Sequence, residues 1–280
     1  MEQQRQDQDI ERPQKRFQYI PKLSADDRDE FGEQVVLAPE KEQPIFTGYT
    51  DNQLMFTSNT FLSRADKESD MLFISTTGFS IEPPLPEEWD KWTFSFFGRY
   101  QAYRYDDHDE LNFHLYTGGL TAGYQIDDLW TVLFNNSYNI FYNEDSYDAF
   151  FKETDHQLTL YRNIPIDDQW GAFAGYQIQF RNTAPAHFSR VENDLFAGVR
   201  YAIDEKWMAQ LYERLERQDY TQRGARKDWN ILTVLSLTYY FNDWCNARIF
   251  GSYTQNDSNQ DVADYNNFNG GGGVNLQVKF

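Results

Sequence analysis

Hydrophobic and polar residues alternate one by one along much of the chain after Thr47. In Trp170–Arg181, rings and aliphatic side chains occupy every second position, and Gly, Gln and Arg stand among the positions between them. The same period of two runs through Leu195–Ile203 and Trp92–Ala102. A period of two places alternate side chains on opposite faces of a β-strand. Each segment is close to the ~9–11 residues that a tilted transmembrane strand needs, so the pattern predicts membrane-spanning strands.

A short acidic motif that ends in Trp recurs between the alternating segments. It reads Ile-Asp-Asp-Leu-Trp at 126–130, Ile-Asp-Asp-Gln-Trp at 166–170, Ile-Asp-Glu-Lys-Trp at 203–207 and, shortened, Phe-Asn-Asp-Trp at 241–244. Asp and Asn favour tight turns because their side chains bond to nearby backbone. A Trp at the start of the next strand is typical of a membrane–water interface. The predicted interface residues are Trp92, Trp130, Trp170, Trp207 and Trp244.

Polar segments separate the strands at the other end of each predicted hairpin. They lie at about 63–70, 105–110, 144–152, 183–190, 220–227 and 255–269. Tight turns at one end and longer loops at the other are typical of outer-membrane barrels. The order of turns and loops predicts six hairpins and therefore about 12 strands. The first hairpin, near Leu54–Ile81, is irregular, which leaves ten strands as the alternative.

The predicted fold is therefore all-β, a transmembrane, antiparallel, up-and-down β-barrel over residues 46–280. Residues 1–45 are charged, rich in Gln and nearly free of rings, which predicts a polar and largely flexible extension. An even number of strands puts both chain ends beside the tight turns, the predicted periplasmic side. A β-propeller and a secreted β-sandwich are the alternatives. A propeller needs four short strands per repeat, where this sequence has two long ones.

The chain ends in an alternating segment whose last residue is aromatic. Val274, Leu276, Val278 and Phe280 alternate with Asn, Gln and Lys. Together with the turns, this ending resembles the bacterial outer-membrane β-barrel proteins, whose last strand ends in Phe and is recognised by the barrel-assembly machinery. The resemblance implies a Gram-negative outer membrane, a surrounding lipid bilayer and that machinery as a partner. Such a protein needs a cleaved secretion signal, which the polar run after Met1 does not provide, and a cytosolic protein is the alternative.

The net charge of −19 narrows the range of partners. Nucleic-acid-binding surfaces are basic, so this acidic chain is not expected to bind nucleic acid. The single cysteine, Cys245, provides neither an internal disulfide nor a zinc cluster. No cofactor or metal is predicted. If the barrel binds envelope proteins, residues 1–45 and the loop 255–269 are the predicted contact surfaces.

Several arginines lie in mid-strand on the face opposite the apolar side chains. By parity, the predicted lumen-lining residues are Arg99, Arg181, Arg200, Arg214, Glu216 and Arg248, with Lys279 near one end. A charge that faces lipid costs roughly 2–4 kcal/mol at mid-depth, so the lumen is favoured. These arginines either attract anions or pair with Glu and Tyr inside a plugged barrel. Glu213 falls on the lipid side by parity, which indicates a bulge or a phase error there.

Candidate catalytic and metal-binding residues are few. His187 and Ser189 have the spacing of the pair in outer-membrane phospholipases, but their surroundings do not match that family, and an ordinary loop is favoured. His108 lies in an acidic run that would suit a divalent cation, although a solvated loop is favoured. Gly270–Gly273 lacks the context of a phosphate-binding loop, so these glycines are interpreted as relieving crowding at a curved barrel edge. No enzyme activity is predicted.

The predicted function is a passive outer-membrane channel for small solutes, anionic ones included, with an Arg-containing lumen. Twelve strands lie between the filled eight-stranded barrels and the open sixteen-stranded ones. The strand number and the Arg placement resemble those of the small monomeric porins that pass acidic oligosaccharides. A non-conducting structural or accessory barrel that anchors an envelope complex is the alternative. A lipid-acting barrel enzyme is a more distant one.

Overall fold

A computed structural model of the chain describes residues 17–19, 37–39, 45–222 and 225–280. Two short strands, β1 (Phe17–Tyr19) and β2 (Leu37–Pro39), pair antiparallel with each other. The remainder of the predicted extension, up to residue 44, lies outside the described residues, so its boundary and flexibility stay predictions. Within the described ranges, no helix is long and apolar enough to cross a membrane.

Twelve strands form one closed antiparallel barrel, which confirms the predicted fold class and the higher strand count. They are β3 (Phe46–Thr57), β4 (Asp70–Ile81), β5 (Trp92–Tyr105), β6 (Phe113–Gln125), β7 (Trp130–Asn143), β8 (Ala149–Pro165), β9 (Trp170–Ala184), β10 (Arg190–Ala202), β11 (Trp207–Tyr220), β12 (Lys227–Asn242), β13 (Cys245–Ser258) and β14 (Tyr265–Lys279). Each strand pairs with the next along the chain, and β14 pairs with β3 to close the barrel. The first hairpin keeps one register from Thr57↔Asp70 to Phe46↔Ile81, so ten strands is excluded.

The barrel has a tight-turn end and a loop end. The tight-turn end carries the connections 82–91, 126–129, 166–169, 203–206 and 243–244, together with the start of β3 and the end of β14. The loop end carries the connections 58–69, 106–112, 144–148, 185–189, 221–226 and 259–264. The asymmetry is weaker than the sequence suggested, because the connection 82–91 is longer than five of the six connections at the loop end.

The predicted loops were too long at several places. The segment 255–269 is mostly strand, with a connection only at 259–264, and 144–152 shortens to 144–148. The strands run for 12 to 17 residues and extend beyond the apolar belt at the loop end. There, outward side chains such as Gln255 and Asp257 are polar, so strand and loop have the same polarity in sequence.

The outer face carries an apolar belt. Leu195, Leu235 and Ile249 are more than half exposed on the outside of the wall. On β9, six consecutive outward positions from Trp170 to Phe180 are apolar, as expected for the lipid-facing wall of an outer-membrane barrel, whereas polar residues such as Asn136 on β7 and Thr233 on β12 interrupt the belt on other strands. An exposed belt of this size is unstable in water, so lipid is its natural environment.

Tryptophans form a girdle at the tight-turn end. Trp92, Trp130, Trp170, Trp207 and Trp244 all stand at or beside a strand start there. Neighbouring strands add tyrosines, and the ring centroids of Trp170 and Tyr201 are 4.4 Å apart. The turns that precede Trp130, Trp170 and Trp207 share one geometry, in which an Asp side chain accepts hydrogen bonds from two backbone N–H groups. Asp127 Oδ1 accepts hydrogen bonds from the backbone N–H of Leu129 (2.9 Å) and Trp130 (2.8 Å).

The C-terminal strand closes the barrel. The outward residues Val274, Leu276, Val278 and Phe280 lie on the apolar belt and are partly or largely exposed. Backbone hydrogen bonds of 2.9 and 3.2 Å join Phe280 to Phe46. At this seam the glycine run permits close approach, because a Cβ on Gly271 would lie 2.4 Å from the carbonyl oxygen of Leu54. Recognition of Phe280 by the assembly machinery stays a prediction.

The prediction of a bulge or a phase error at Glu213 was wrong. β11 keeps an unbroken register with β10 and with β12 through this position. Glu213 is exposed on the outer wall, and its carboxylate accepts a hydrogen bond of 2.8 Å from Thr233 Oγ1 on the neighbouring strand. The parity of the sequence was therefore correct, and a lipid-facing carboxylate is a property of this barrel.

Candidate lumenal site

The inward face of the barrel is mostly polar. One row of inward residues crosses neighbouring strands in direct register: Asn135 on β7 pairs with Gln157 on β8, Gln157 with Gln179 on β9, and Gln179 with Glu192 on β10. All four are buried. Since cross-strand partners lie on the same face, with Cβ atoms about 4.5–5.5 Å apart, the row forms a continuous polar strip.

Arg181 is the centre of a buried charge network on the loop-end side of this row. Its guanidinium lies 3.1 Å from a carboxylate oxygen of Glu192 and 3.5 Å from oxygens of both Glu153 and Asp155. Arg181 and its three acidic partners are at most 3% exposed. Three strands, β8, β9 and β10, therefore hold one cation among three carboxylates, away from solvent.

Neutral and basic neighbours extend the network. Asn139 Nδ2 on β7 donates to Glu153 (3.1 Å) and Asp155 (3.0 Å), and Asn139 Oδ1 accepts from Thr117 (2.7 Å). Arg190 pairs with Glu192 from the same strand. The network thus reaches from β6 to β10 and fixes the inward side chains of five consecutive strands.

The other predicted lumenal residues also face inward. Arg214 Nη2 lies 3.0 Å from a carboxylate oxygen of Glu216 on the same strand, and both residues are buried. Arg248 binds Asp51 through two hydrogen bonds of 2.6 and 3.0 Å across the seam region. Asn275 donates to the same carboxylate at 3.4 Å. The structure therefore brings Arg214 and Glu216 together, whereas Arg248 belongs to a separate pair.

Arg99 and Arg200 are inward residues that are only partly buried. Arg200 lies over Gly171 of the neighbouring strand, where an added Cβ would be 2.6 Å from its Nε atom. Arg99 pairs in register with Gly78 on one side and Thr117 on the other. Gly171 thus gives the Arg200 side chain room along the wall, whereas the space over Gly78 is filled by the ring of Tyr49.

Buried acids outnumber buried bases on the inward wall. Among the described residues, the buried carboxylates are Asp51, Asp70, Glu153, Asp155, Glu192, Asp194, Glu216 and Asp228. The buried arginines are Arg181, Arg190, Arg214 and Arg248. Arg99 and Arg200, counted as well, do not make the described wall net basic. Most of these acids escaped sequence reasoning, although the parity rule that found the arginines would also have found Glu153 and Asp155.

Two apolar clusters fill further parts of the interior. One, towards the tight-turn end, consists of Leu133, Tyr161, Phe173 and Phe196, with Met208 and Tyr212 packed against it. The other consists of Met55, Leu72, Ile74, Tyr103 and Phe250. Glycines make room for the rings, since a Cβ on Gly198 would lie 2.3 Å from the ring of Phe173. The interior thus combines charge pairs with packed aromatic side chains.

The candidate catalytic and cation-binding residues have other contacts. Ser189 Oγ accepts from the backbone N–H of Thr183 at 2.9 Å, while the His187 ring packs on Phe188. His108 lies between carboxylates of Glu68 (3.3 Å) and Glu110 (3.4 Å). No group of three His, Cys, Asp or Glu side chains suited to a metal ion occurs in the described ranges.

Comparisons with known proteins identify the class through the fold. No family model matches the chain, and no curated protein matches it. Among solved structures, an outer membrane channel from Pseudomonas putida F1 aligns with a TM-score of 0.58 and 9% identity, over 85% of this chain and 97% of that one. A bacterial polysaccharide outer membrane secretin aligns with a TM-score of 0.50 and 8% identity, over 86% and 100%. The NanC porin aligns with a TM-score of 0.47 and 11% identity, over 81% and 98%.

The chain therefore has the fold of the bacterial outer-membrane β-barrels, which confirms the resemblance that its sequence pattern indicated. At these low identities the likeness concerns the fold alone. The periplasmic side of the termini, the partners of the barrel and the absence of enzyme activity stay predictions.

Proposed function

We propose that this protein is an outer-membrane channel for small polar solutes, whose lumen in the described state is narrowed by paired charges. The observation that carries the proposal is the buried Arg181 network, which lies on the inward wall of a closed barrel. A polar interior is typical of barrels that hold water, while an apolar belt outside faces lipid.

The charge balance changes the predicted selectivity. Free arginines would attract anions, but Arg181, Arg214 and Arg248 each have a carboxylate within 3.1 Å. Paired charges present little net field to a passing ion. With more buried acids than buried arginines in the described wall, we expect a weak preference for cations rather than for anions.

Planar-bilayer recording of the refolded full chain tests the proposal. We expect infrequent openings in the wild-type protein. Arg181→Gln removes the cation and leaves Glu153, Asp155 and Glu192 to repel one another, so it should open the lumen more often and increase cation preference. The matched control is Arg217→Gln, since Arg217 pairs with Asp219 on the outer wall and is 41% exposed.

A lack of conductance steps in both the wild-type protein and Arg181→Gln, with folding verified by heat-modifiable gel mobility, would refute the channel. The apolar clusters inside the barrel favour the second candidate, a non-conducting barrel that anchors an envelope complex. In that case a partner would be sought by cross-linking in cells, starting from the connections at the loop end.

A further inference from the structure

Hydrogen-bonded polar pairs recur on the outer wall at one position of every second hairpin. The pairs are Asn52 with Ser75, Asn136 with His156, and Glu213 with Thr233. In each pair the two residues lie opposite one another on neighbouring strands, and a side-chain hydrogen bond joins them. All six side chains are exposed or partly exposed, so three polar sites face outward from the barrel.

The three pairs lie at one height. Asn52, Asn136 and Glu213 are each the sixth residue after the first residue of their strand, and these strands, β3, β7 and β11, are four strands apart in a barrel of 12. The register advances equally over each third of the wall, since four successive pairings lead from Trp130 to Glu213 and also from Phe46 to Asn136. At the usual strand tilt, six residues correspond to roughly 15 Å above the tight-turn girdle, which is inside the apolar belt.

The hairpins between them carry small, aromatic or aliphatic residues at the corresponding position. These are Gly98 with Gly118, Tyr176 with Leu195, and Gly251 with Gly270. Each polar pair is therefore a separate site on the lipid-facing wall, a third of the circumference away from the next one.

Two of these sites have complementary hydrogen-bonding atoms to spare. Glu213 is exposed, and among the described residues only its Oε2 atom has a partner, the hydroxyl group of Thr233. His156 uses Nδ1 with Asn136, and its Nε2 atom has no partner in the described part of the chain. Lipid offers no water to a carboxylate at this depth, so a donor from another protein would stabilise Glu213.

Two copies in one membrane share their depth and direction, so the side chains that meet across a contact have the same height. We propose that Glu213 of one copy of this chain binds His156 of a second copy, with Nε2 of the ring as the donor. Because the two sites are four strands apart on each barrel, the contact is head-to-tail, and one copy can bind a neighbour at each site. The contact does not depend on whether the barrel conducts.

Cross-linking of the full chain in lipid vesicles tests this contact, with Cys245, the single native thiol, replaced by Ala. Leu211 and Leu158 are outward residues, each two positions nearer the tight-turn end than Glu213 and His156, so cysteines there leave the contact intact. A short bis-maleimide should join the Leu211→Cys and Leu158→Cys proteins when they are mixed, and should join neither protein to itself.

The matched control is Thr77→Cys. Thr77 is exposed on β4, two positions nearer the tight-turn end than Ser75, and therefore lies at the height of Leu158 on another part of the wall. When it is mixed with Leu211→Cys, this variant should cross-link only at the background level. Cross-linking as strong as that of Leu158→Cys would reveal random collision and overturn the proposal.

Glu213→Leu separates association from folding. It should weaken association at least about tenfold, measured by energy transfer between labelled copies on dilution with lipid, because a hydrogen bond to a charged group is lost. The same variant should be at least as resistant to urea as the wild type, since it removes a carboxylate that faces lipid. His156→Leu should weaken association in the same way.

A wild-type protein that stays monomeric in vesicles, or a Glu213→Leu variant that associates as the wild type does, would overturn the proposal and leave Thr233 as the partner of Glu213. Planar-bilayer recording distinguishes this failure from a failure of the channel. Conductance from a monomeric protein would support the channel and refute the contact. Association that Glu213→Leu weakens, without conductance, would support the contact and refute the channel.

Discussion

The pair of Arg248 and Asp51 offers a quantitative test of how the barrel is held closed. The guanidinium and the carboxylate meet through two hydrogen bonds, and their side chains are 4% and 11% exposed. β13 carries Arg248 and β3 carries Asp51, so the pair spans β14 and joins the two strands that flank it. We predict that Arg248→Met destabilises the barrel strongly, because it leaves the Asp51 carboxylate in a buried position without its cation.

The size of the effect follows from the burial. Removal of one partner of a buried ion pair typically costs about 3–5 kcal/mol, because the remaining charge is neither solvated nor paired. Arg248→Met should therefore lower the free energy of unfolding by about 3–4 kcal/mol, with Asn275 as the remaining donor to Asp51. Asp51→Asn should cost a similar amount. The double variant should cost at least ~1 kcal/mol less than the two single variants together, since no uncompensated charge remains.

Reversible urea unfolding in lipid vesicles, followed by tryptophan fluorescence and gel mobility, measures these energies. Arg217→Met is the control, because Arg217 and its partner Asp219 are 41% and 34% exposed on the outer wall. Exposed pairs contribute about 0–1 kcal/mol, so this variant should change stability little. If Arg248→Met costs no more than Arg217→Met, or if the effects of Arg248→Met and Asp51→Asn are additive, the pair does not act as described.

Three further predictions concern the wall and its connections. Gly198→Ala should lose about 1–3 kcal/mol in the same urea assay, because its Cβ would lie 2.3 Å from a facing ring, whereas Gly118→Ala, with open space around it, should be near neutral. The backbone hydrogen bonds to Asp127 lower its pKa, so the turn should lose stability as pH falls through that lowered value, below about pH 4. Asp127→Asn, which keeps the acceptor oxygen, should remove this acid dependence of the thermal midpoint. Asp70 accepts three backbone N–H bonds from the connection 106–112, so Asp70→Ala should increase hydrogen exchange there.

The strands and turns could be predicted from the sequence because both depend on interactions between residues that are close in sequence. Alternation fixes which face a side chain occupies, and Asp127, Asp167 and Asp204 each bond to backbone only two and three residues away. The polar ends of the strands could not be predicted, since outside the apolar belt a strand and a loop have the same composition. This is why the segment 255–269 was predicted as loop and is mostly strand.

The sequence predicts which side chains point into the lumen, but not at which position along the barrel axis each one lies. Parity places Arg181 inside, yet its partners Glu153 and Glu192 lie on two different strands, 28 and 11 residues away in sequence. Which inward residues meet depends on the register of each strand against the next, and register accumulates around the barrel. The carboxylates that pair with the lumenal arginines can therefore be identified only from the structure.

Whether the barrel conducts then depends on the energy of the network rather than on the number of strands. If an opening exposed one of the paired charges without any compensating contact, it would cost about 3–5 kcal/mol. At about 1.4 kcal/mol per factor of ten, the open state would be occupied less than about 1% of the time. Water that enters with the solute lowers this cost, because it solvates the separated groups. The open fraction of Arg181→Gln relative to wild type thus measures how much of the barrier Arg181 itself contributes.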